Sequence, residues 1–304
     1  MRVLVTGGAG FIGSHSVEML LSQGAEVVVL DDLSSGRAEN LPRISSVSLH
    51  VGDIRDAAAV AAAMQGAHAV LHLAAQVSVQ ASIDDPAHSC SINVDGFVTV
   101  LDCARRLGVR RFVYASSAAV YGEPSQLPLT EASPTQPLSP YGLEKLVNDQ
   151  YAALYAAQLG LSCLGLRYFN VFGPRQDPSS PYAGVISRFV DRLRAGQPLT
   201  VFGDGEQSRD FIYVGDVAAA NAAALSSGVT GLCNVATGQR ISLNQLIETL
   251  HAASGRRTEV RFAAERGGDI RHSGASGERL RQELRFSPRW SLREGLAALW
   301  RETA

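Results

Sequence analysis

The chain has 304 residues, 46% of them hydrophobic and 18% charged, which is typical of a globular protein with a sizeable core. Its formal net charge of -2 provides no basic field for a phosphate backbone, which argues against a nucleic-acid partner. Four widely spaced cysteines without C-x-x-C spacing argue against a zinc site and a disulfide framework, so we expect reduced, buried thiols and no metal.

The chain begins directly with a strand pattern, and no apolar run approaches the length that spans a membrane. We therefore expect a cytoplasmic protein without a membrane partner. Short apolar strands then alternate with helices, which predicts an α/β fold with a doubly wound parallel sheet of the Rossmann type. The predicted strands are 2–6, 27–30, 47–51, 69–73, 112–115 and 163–167, and the predicted helices are 11–21, 57–64, 93–107 and 141–159.

The rhythm of the sequence changes after about residue 169. Loops rich in Pro, Gly and Arg, such as 173–184, 203–209 and 264–277, separate shorter elements. We predict a first domain over 1–168, to which about 211–237 returns, and a smaller C-terminal α/β domain over 169–304 that binds the substrate.

Three glycines lie between the first strand and the first helix. Gly7, Gly10 and Gly13 in TGGAGFIGS allow a tight turn and leave the helix N-terminus free to receive a pyrophosphate. Asp31 ends the second strand 18 residues after Gly13, where a carboxylate can bind ribose hydroxyls and repel a 2'-phosphate. This pattern favours NAD over NADP, although a glycine turn alone also occurs for packing.

Asp53 closes the third strand in VGDIRD. Its carboxylate could accept a hydrogen bond from the adenine amino group. A plain helix N-cap explains an aspartate there nearly as well.

A tyrosine and a lysine are spaced by one helical turn. Ser139 and Pro140 predict a helix start, which places Tyr141 and Lys145 on one face. Lys145 is the only lysine among 27 basic residues, and an arginine cannot replace a point donor of one proton. The ammonium favours the phenolate of Tyr141, which predicts a general base. The alternative is an ordinary tyrosine and lysine on the surface of a helix. The glycine turn and Asp31 argue against this alternative.

Together these motifs, with HLAA at 72–75, Asn93 and SSAAVYG at 116–122, resemble the extended short-chain dehydrogenases over essentially the whole chain. The resemblance implies that Ser117 binds the reacting sugar hydroxyl, Tyr141 takes its proton, and Lys145 holds the nicotinamide ribose. It also implies a wider set of NAD-binding residues: Gly7, Gly10, Phe11, Ile12, Gly13, Asp31, Asp32, Asp53, Ile54, Leu73, Ala74, Ala75, Asn93, Tyr141, Lys145 and Phe169.

The second half contains RYFNVFGPRQ, LTVFGDG, RDFIYVGDVA and RGGD, which resemble the UDP-hexose 4-epimerases. By that resemblance Arg209 and Arg266 clamp the diphosphate, which suits the forked donors of arginine. The remaining implied UDP-sugar contacts are Ser78, Ser117, Tyr141, Tyr168, Asn170, Val185, Thr200, Phe202, Asp269 and Ser273. Homodimerisation through the helices near 93–107 and 141–159 is a further expectation from the family.

The implied reaction oxidises C4 of the sugar with NAD and returns the hydride to the opposite face of a 4-keto sugar. The related 4,6-dehydratases and UDP-glucuronate decarboxylases place acidic residues where Ala118 and Ala119 stand here, which disfavours them. A UDP-glucuronate 4-epimerase and a non-catalytic NAD-binding scaffold also remain as alternatives. Scaffold members of the superfamily typically lose the tyrosine or the lysine.

Ser273 occupies the position that limits the space beside the C2 substituent of the sugar in these epimerases. A tyrosine there excludes an N-acetyl group, and serine leaves room for it. With Ser78 and GDIRHS, this resembles the subgroup that handles UDP-N-acetylglucosamine and UDP-N-acetylgalactosamine. UDP-glucose and UDP-galactose are expected as further substrates, and an ordinary loop serine is the plain alternative.

Overall fold

The computed structural model describes residues 1–177, 184–265 and 270–302. Its strands are β1 (Arg2–Thr6), β2 (Glu26–Asp31), β3 (Val47–Val51), β4 (Ala69–His72), β5 (Arg111–Ser117), β6 (Ser162–Tyr168), β7 (Asn170–Phe172), β8 (Leu199–Phe202), β9 (Ser208–Arg209), β10 (Phe211–Tyr213), β11 (Gly231–Val235), β12 (Ile241–Ser242) and β13 (Val260–Ala263). Its α-helices are α1 (Phe11–Ser22), α2 (Ala57–Met64), α3 (Val79–Asp84), α4 (Pro86–Cys90), α5 (Phe97–Arg106), α6 (Pro140–Leu159), α7 (Val185–Arg194), α8 (Val214–Ser226), α9 (Leu243–Ser254), α10 (Glu278–Gln282) and α11 (Leu292–Glu302).

Seven parallel strands form the main sheet, in the order β11-β6-β5-β4-β1-β2-β3. One apolar cluster joins its first face to residues of α1 and α8, including Val17 and Val217, and a second joins the other face to α2, α5 and α6. Helices on both faces confirm the predicted doubly wound α/β fold. The strands are apolar over nearly their whole length because both faces are covered.

The second half of the chain splits between two places. α8 packs against α1, and β11 pairs with β6 at the edge of the main sheet. Another apolar cluster gathers α7, β8, β10, α9 and α11 into a separate layer. This layer holds short two-stranded sheets, such as β8 with β13 and β7 with β10.

All four cysteines are free thiols. Cys163 and Cys233 are buried, as predicted, whereas Cys90 is exposed and Cys103 half-buried, so the expected burial is wrong for those two. In the described ranges, no helix combines the length and apolar character needed to cross a bilayer.

Candidate active site

The glycine turn brings three backbone segments into contact. Gly7 has φ +69°, and a Cβ added there would lie 2.7 Å from the backbone nitrogen of Ala74. A Cβ on Gly13 would lie 2.0 Å from the carbonyl oxygen of Gly7. Gly10 is the N-cap of α1 and has no side chain, so the N-cap residue gives the first N–H groups of the helix no side-chain acceptor. This uncapped N-terminus beside a glycine cradle fits the diphosphate of a dinucleotide.

Thr6 and His72 join the carboxyl ends of β1 and β4. The Thr6 hydroxyl lies 2.8 Å from Nδ1 of His72 and accepts hydrogen bonds from the N–H groups of Leu73 and Ala74. Burial lowers the pKa of His72 to about 3, so this imidazole is neutral. The contact fixes the backbone of Leu73 and Ala74, two predicted cofactor residues. Thr6 begins the motif TGGAGFIGS and His72 begins HLAA, but neither motif shows that the two side chains meet.

The residues predicted to bind the adenosine part of NAD lie at the ends of β2 and β3. Asp31 accepts hydrogen bonds from the N–H groups of Ala9 and Leu33, each at 2.9 Å, and burial raises its pKa. Asp32 is exposed and binds Ser34. Asp31 thus ties the second strand to the glycine turn.

Asp53 is not a helix N-cap, because Asp56 caps α2. Its carboxylate instead binds the side chain of Arg55, which also donates to Ser91 and holds the pKa of Asp53 below its usual range. Ile54 between them is buried in the second apolar cluster. Any adenine contact of Asp53 would therefore compete with Arg55.

Ser117, Tyr141 and Lys145 meet where β5 ends and α6 begins. Ser139 caps α6 and Pro140 opens it, which confirms the predicted helix start. Ser117 ends β5, and a hydrogen bond joins its side chain to that of Tyr141. Lys145 is buried, and its Nζ donates to the carbonyl oxygen of Ala115 at 3.2 Å and lies 5.8 Å from the centre of the Tyr141 ring.

The pKa of Tyr141 departs from the sequence expectation. Burial raises it, and the carboxylate of Glu144 adds to the rise, while the Ser117 hydrogen bond opposes both. The spacing of Tyr141 and Lys145 predicts a lowered pKa for Tyr141, and the protein by itself does not produce it. Burial also lowers the pKa of Lys145, to about 8, against the fields of Asp149 and Glu144.

Glu144 was not predicted, although it lies within the Tyr141 to Lys145 motif. It is 4% exposed, and its Oε2 accepts hydrogen bonds from Ser89 at 2.8 Å and from Asn93 at 2.6 Å. Asn93 also binds both the backbone N–H and the carbonyl of Gln76. The predicted cofactor residue Asn93 thus links α6 to the loop that follows Ala75. A carboxylate three residues after the tyrosine was the available signal.

The predicted contact of the Tyr168 hydroxyl with the UDP-sugar requires a correction. We expected it to face the sugar diphosphate, but the side chain is 8% exposed in the first apolar cluster and donates to Asn221 on α8 at 2.7 Å. Strand alternation sends it into the core. Phe169 is buried against Tyr121, and Asn170 is exposed at the start of β7.

The other predicted substrate residues lie in shorter elements. Ser78 caps α3 through a hydrogen bond from the N–H of Ala81. Val185 begins α7, and Thr200 and Phe202 share the half-buried face of β8. Phe11 and Ile12 at the start of α1 contact the apolar cluster of this layer. Arg266 and Asp269 lie outside the described residues.

Arg209 and Ser273 lie in two chain segments that are joined by backbone hydrogen bonds. Arg209 in β9 donates to the carbonyl oxygen of Ser208, and the N–H of Ser273 donates to the same carbonyl at 3.0 Å. The N–H of Leu129 donates to the carbonyl oxygen of Gly274 at 2.9 Å. The segment with Ser273 is thereby anchored to the loop that follows Ser117 and the 3-10 helix Ala118–Tyr121.

Residues 3–236 match the model of the NAD dependent epimerase/dehydratase family. The chain belongs to this family. It is thus an NAD-dependent enzyme, and the uncapped N-terminus of α1 beside its glycine cradle suits that cofactor.

Relatives match nearly from end to end. The UDP-glucose 4-epimerase of Mycolicibacterium smegmatis is 41% identical over 98% of this chain and 96% of its own. A UDP-N-acetylglucosamine 4-epimerase from Methanobrevibacter ruminantium, in complex with UDP-N-acetylmuramic acid, has a TM-score of 0.96 at 37% identity, covering 99% and 98% of the two chains. The Thermus thermophilus UDP-glucose 4-epimerase complex with NAD has a TM-score of 0.91 at 40% identity, covering 99% and 98%.

Proposed function

We propose that this protein is a UDP-sugar 4-epimerase that interconverts UDP-N-acetylglucosamine and UDP-N-acetylgalactosamine, and also accepts UDP-glucose and UDP-galactose. The single observation that carries the proposal is the meeting of Ser117, Tyr141 and Lys145 at the junction of β5 and α6. Relatives that are UDP-sugar 4-epimerases match almost the whole chain, which supports the reaction class.

Each member of the triad has a separate task. Ser117 and Tyr141 are joined by a hydrogen bond and would bind the 4-hydroxyl of the sugar, whose proton passes to the phenolate oxygen of Tyr141. Protonated Lys145 favours that phenolate electrostatically. The glycine turn and the N-terminus of α1 would hold NAD, which would supply reversible hydride transfer at C4 of the sugar. Its positive nicotinamide ring would oppose the rise that burial causes in the pKa of Tyr141.

The absence of an acid after Ser117 argues against the sister reactions. The 3-10 helix that follows is Ala118-Ala119-Val120-Tyr121, in which the two alanines carry no proton donor and the buried Tyr121 hydroxyl already donates to Asn234. A dehydratase needs such a donor. Epimerisation needs only the reversible removal of the 4-hydroxyl proton.

Ser273 supports the acetamido substrates. Its side chain is small, and its backbone is fixed by the hydrogen bond to Ser208 and by the pairing of Gly274 with Leu129. A fixed backbone lets side-chain volume alone decide how much space remains. The similarity to a UDP-N-acetylglucosamine 4-epimerase points the same way.

The test incubates purified protein with each of the four UDP-sugars, without added NAD, and resolves the products by chromatography. We expect all four to be converted, and conversion of none would overturn the epimerase proposal. Ser273→Tyr should abolish turnover of the acetamido pair while sparing UDP-glucose. Ser226→Tyr, at an exposed helix end, is the matched control. Equal selectivity of Ser273→Tyr and wild type would refute the role of Ser273.

We also propose a homodimer that packs through α6. Leu143, Tyr151 and Leu154 are 53%, 37% and 57% exposed, and their spacing places them on one side of the helix. A second copy would cover this apolar face. Sedimentation should show a dimer that Leu154→Glu converts to a monomer.

A further inference from the structure

The catalytic helix carries a buried carboxylate to which the reaction above assigns no role. Glu144 is 4% exposed and lies directly before Lys145 and one turn after Tyr141. A buried carboxylate is unfavourable unless it is paired or hydrogen-bonded. Its partners therefore indicate what it does.

The hydrogen bonds of Glu144 are unequally divided between its two oxygens. Oε2 accepts both the Ser89 hydroxyl and the Asn93 amide, whereas Oε1 is buried without a partner. Ser89 lies on α4, and Asn93 lies in the π-helix Ser91–Gly96. One oxygen thus fastens the segment 76–93 to α6.

A second contact fastens the same segment at the start of α6. The hydroxyl of Ser82 on α3 accepts a hydrogen bond from the backbone N–H of Tyr141 at 3.1 Å. The segment 76–93 carries Ser78 and follows Ala75, so it borders both predicted binding regions. Glu144 is placed to act on its position and on the charge of the triad.

We propose that Glu144 is a positioning residue of the active site, whose buried carboxylate stabilises protonated Lys145 and holds the segment 76–93 against the catalytic helix. The proposal rests on the epimerase function proposed above. Glu144 acts through Lys145, Tyr141 and Asn93, and touches no reacting atom itself.

The titratable groups around this carboxylate and Lys145 come from three elements. Tyr141, Lys145 and Asp149 lie on α6, Cys90 lies on α4 and His72 on β4. His72 stays neutral, because burial keeps its pKa at about 3. Glu144 raises the pKa of Tyr141, of Lys145 and of Cys90. Asp149 raises the pKa of Lys145 in parallel.

Glu144→Gln removes the charge and can retain the hydrogen bonds. The glutamine carbonyl can occupy the place of Oε2 and accept both donors, and its amide group takes the place of the unpartnered Oε1. Without the negative charge, both Tyr141 and Lys145 lose protons at lower pH. Both limbs of the profile of kcat against pH should therefore move to lower pH, by about 0.5 to 1.5 units.

A readout independent of turnover follows the tyrosinate absorbance of Tyr141 during a pH titration. Subtracting the same titration of Tyr141→Phe, in the wild-type and Glu144→Gln backgrounds, isolates this phenol from the other tyrosines. Its midpoint should fall in Glu144→Gln and stay unchanged in Glu278→Gln, an exposed glutamate on α10. Midpoints and pH profiles that coincide with wild type would overturn the electrostatic role.

Glu144→Ala tests the clamp, because it removes both hydrogen bonds as well as the charge. We expect a rise in KM for the UDP-sugar in this variant beyond that in Glu144→Gln. Equal KM values in the two variants would refute the clamp. Failure of the wild type to convert any UDP-sugar would instead refute the epimerase proposal, while the absorbance titration would still test Glu144.

Discussion

The main sheet and the separate C-terminal layer position their residues by different means. In the sheet and its glycine turn, backbone packs directly against backbone. A Cβ at Gly13 would lie 2.0 Å from the carbonyl oxygen of Gly7. The strands β1, β4 and β5 are almost wholly buried. In the layer, β8 has four residues and alternates buried with half-buried side chains. The residues proposed for the proton transfer thus lie in a frame that tolerates little change. The residues of the layer that are predicted to contact the UDP-sugar lie on faces where side chains can vary.

Gly13→Ala should produce the largest effect, because the added methyl overlaps a carbonyl oxygen of the glycine turn. We expect a loss of roughly 3 kcal/mol or more of unfolding free energy, with loss of bound NAD. Thermal unfolding and the absorbance of released nucleotide measure these. Gly228→Ala, which meets nothing within 4 Å, is the control. Equal NAD content in the two variants would contradict the tight frame.

Tyr141→Phe should come next and should affect chemistry alone. The phenol hydroxyl is bonded to Ser117 and its loss leaves the helix intact, so kcat should fall by about 10²- to 10⁴-fold with stability nearly unchanged. The measurement is turnover of each UDP-sugar alongside thermal unfolding. Tyr151→Phe, on the exposed side of α6, should retain activity. Near-normal turnover by Tyr141→Phe would contradict the role of Tyr141 as the general base.

The smallest effect is on the pH dependence of the free energy of unfolding, to which the buried His72 contributes. An unfolded histidine binds a proton below its ordinary pKa of 6.5, whereas the folded one does so only near 3. Stability is therefore lost as the pH falls below 6.5, by about 2 kcal/mol at pH 5. Urea unfolding at pH 7 and pH 5 should show that His72→Phe reduces this difference. The same difference in both proteins would exclude His72 as its source.

The sequence predicted the sheet well because strands covered on both faces are apolar and helices between them are periodic. The strands 2–6 and 47–51 and the helix 57–64 match the structure residue for residue. The helix start at Pro140 followed from its cap. These signals are local, so they survive without knowledge of the tertiary structure.

Long-range partners were not predictable in this way. The helix predicted over 93–107 begins as the π-helix Ser91–Gly96, where Asn93 reaches Gln76 and Glu144. The partner of Tyr168 lies 53 residues away on α8. Side-chain direction decides such contacts, and a strand pattern gives only which face is buried. The NAD and UDP-sugar contacts stay predictions for the same reason.

The return of β11 to the main sheet has a consequence for synthesis of the protein on the ribosome. A nascent chain that ends near residue 168 lacks both α8 and β11, although it contains the glycine turn and the triad. Tyr168 has no Asn221 to bind, and the apolar side of α1 has no α8 to cover it. The nucleotide-binding half cannot complete its fold until about residue 235 has emerged. The first half therefore completes its fold only after part of the second half has been synthesised, although different tasks are proposed for the residues of the two halves.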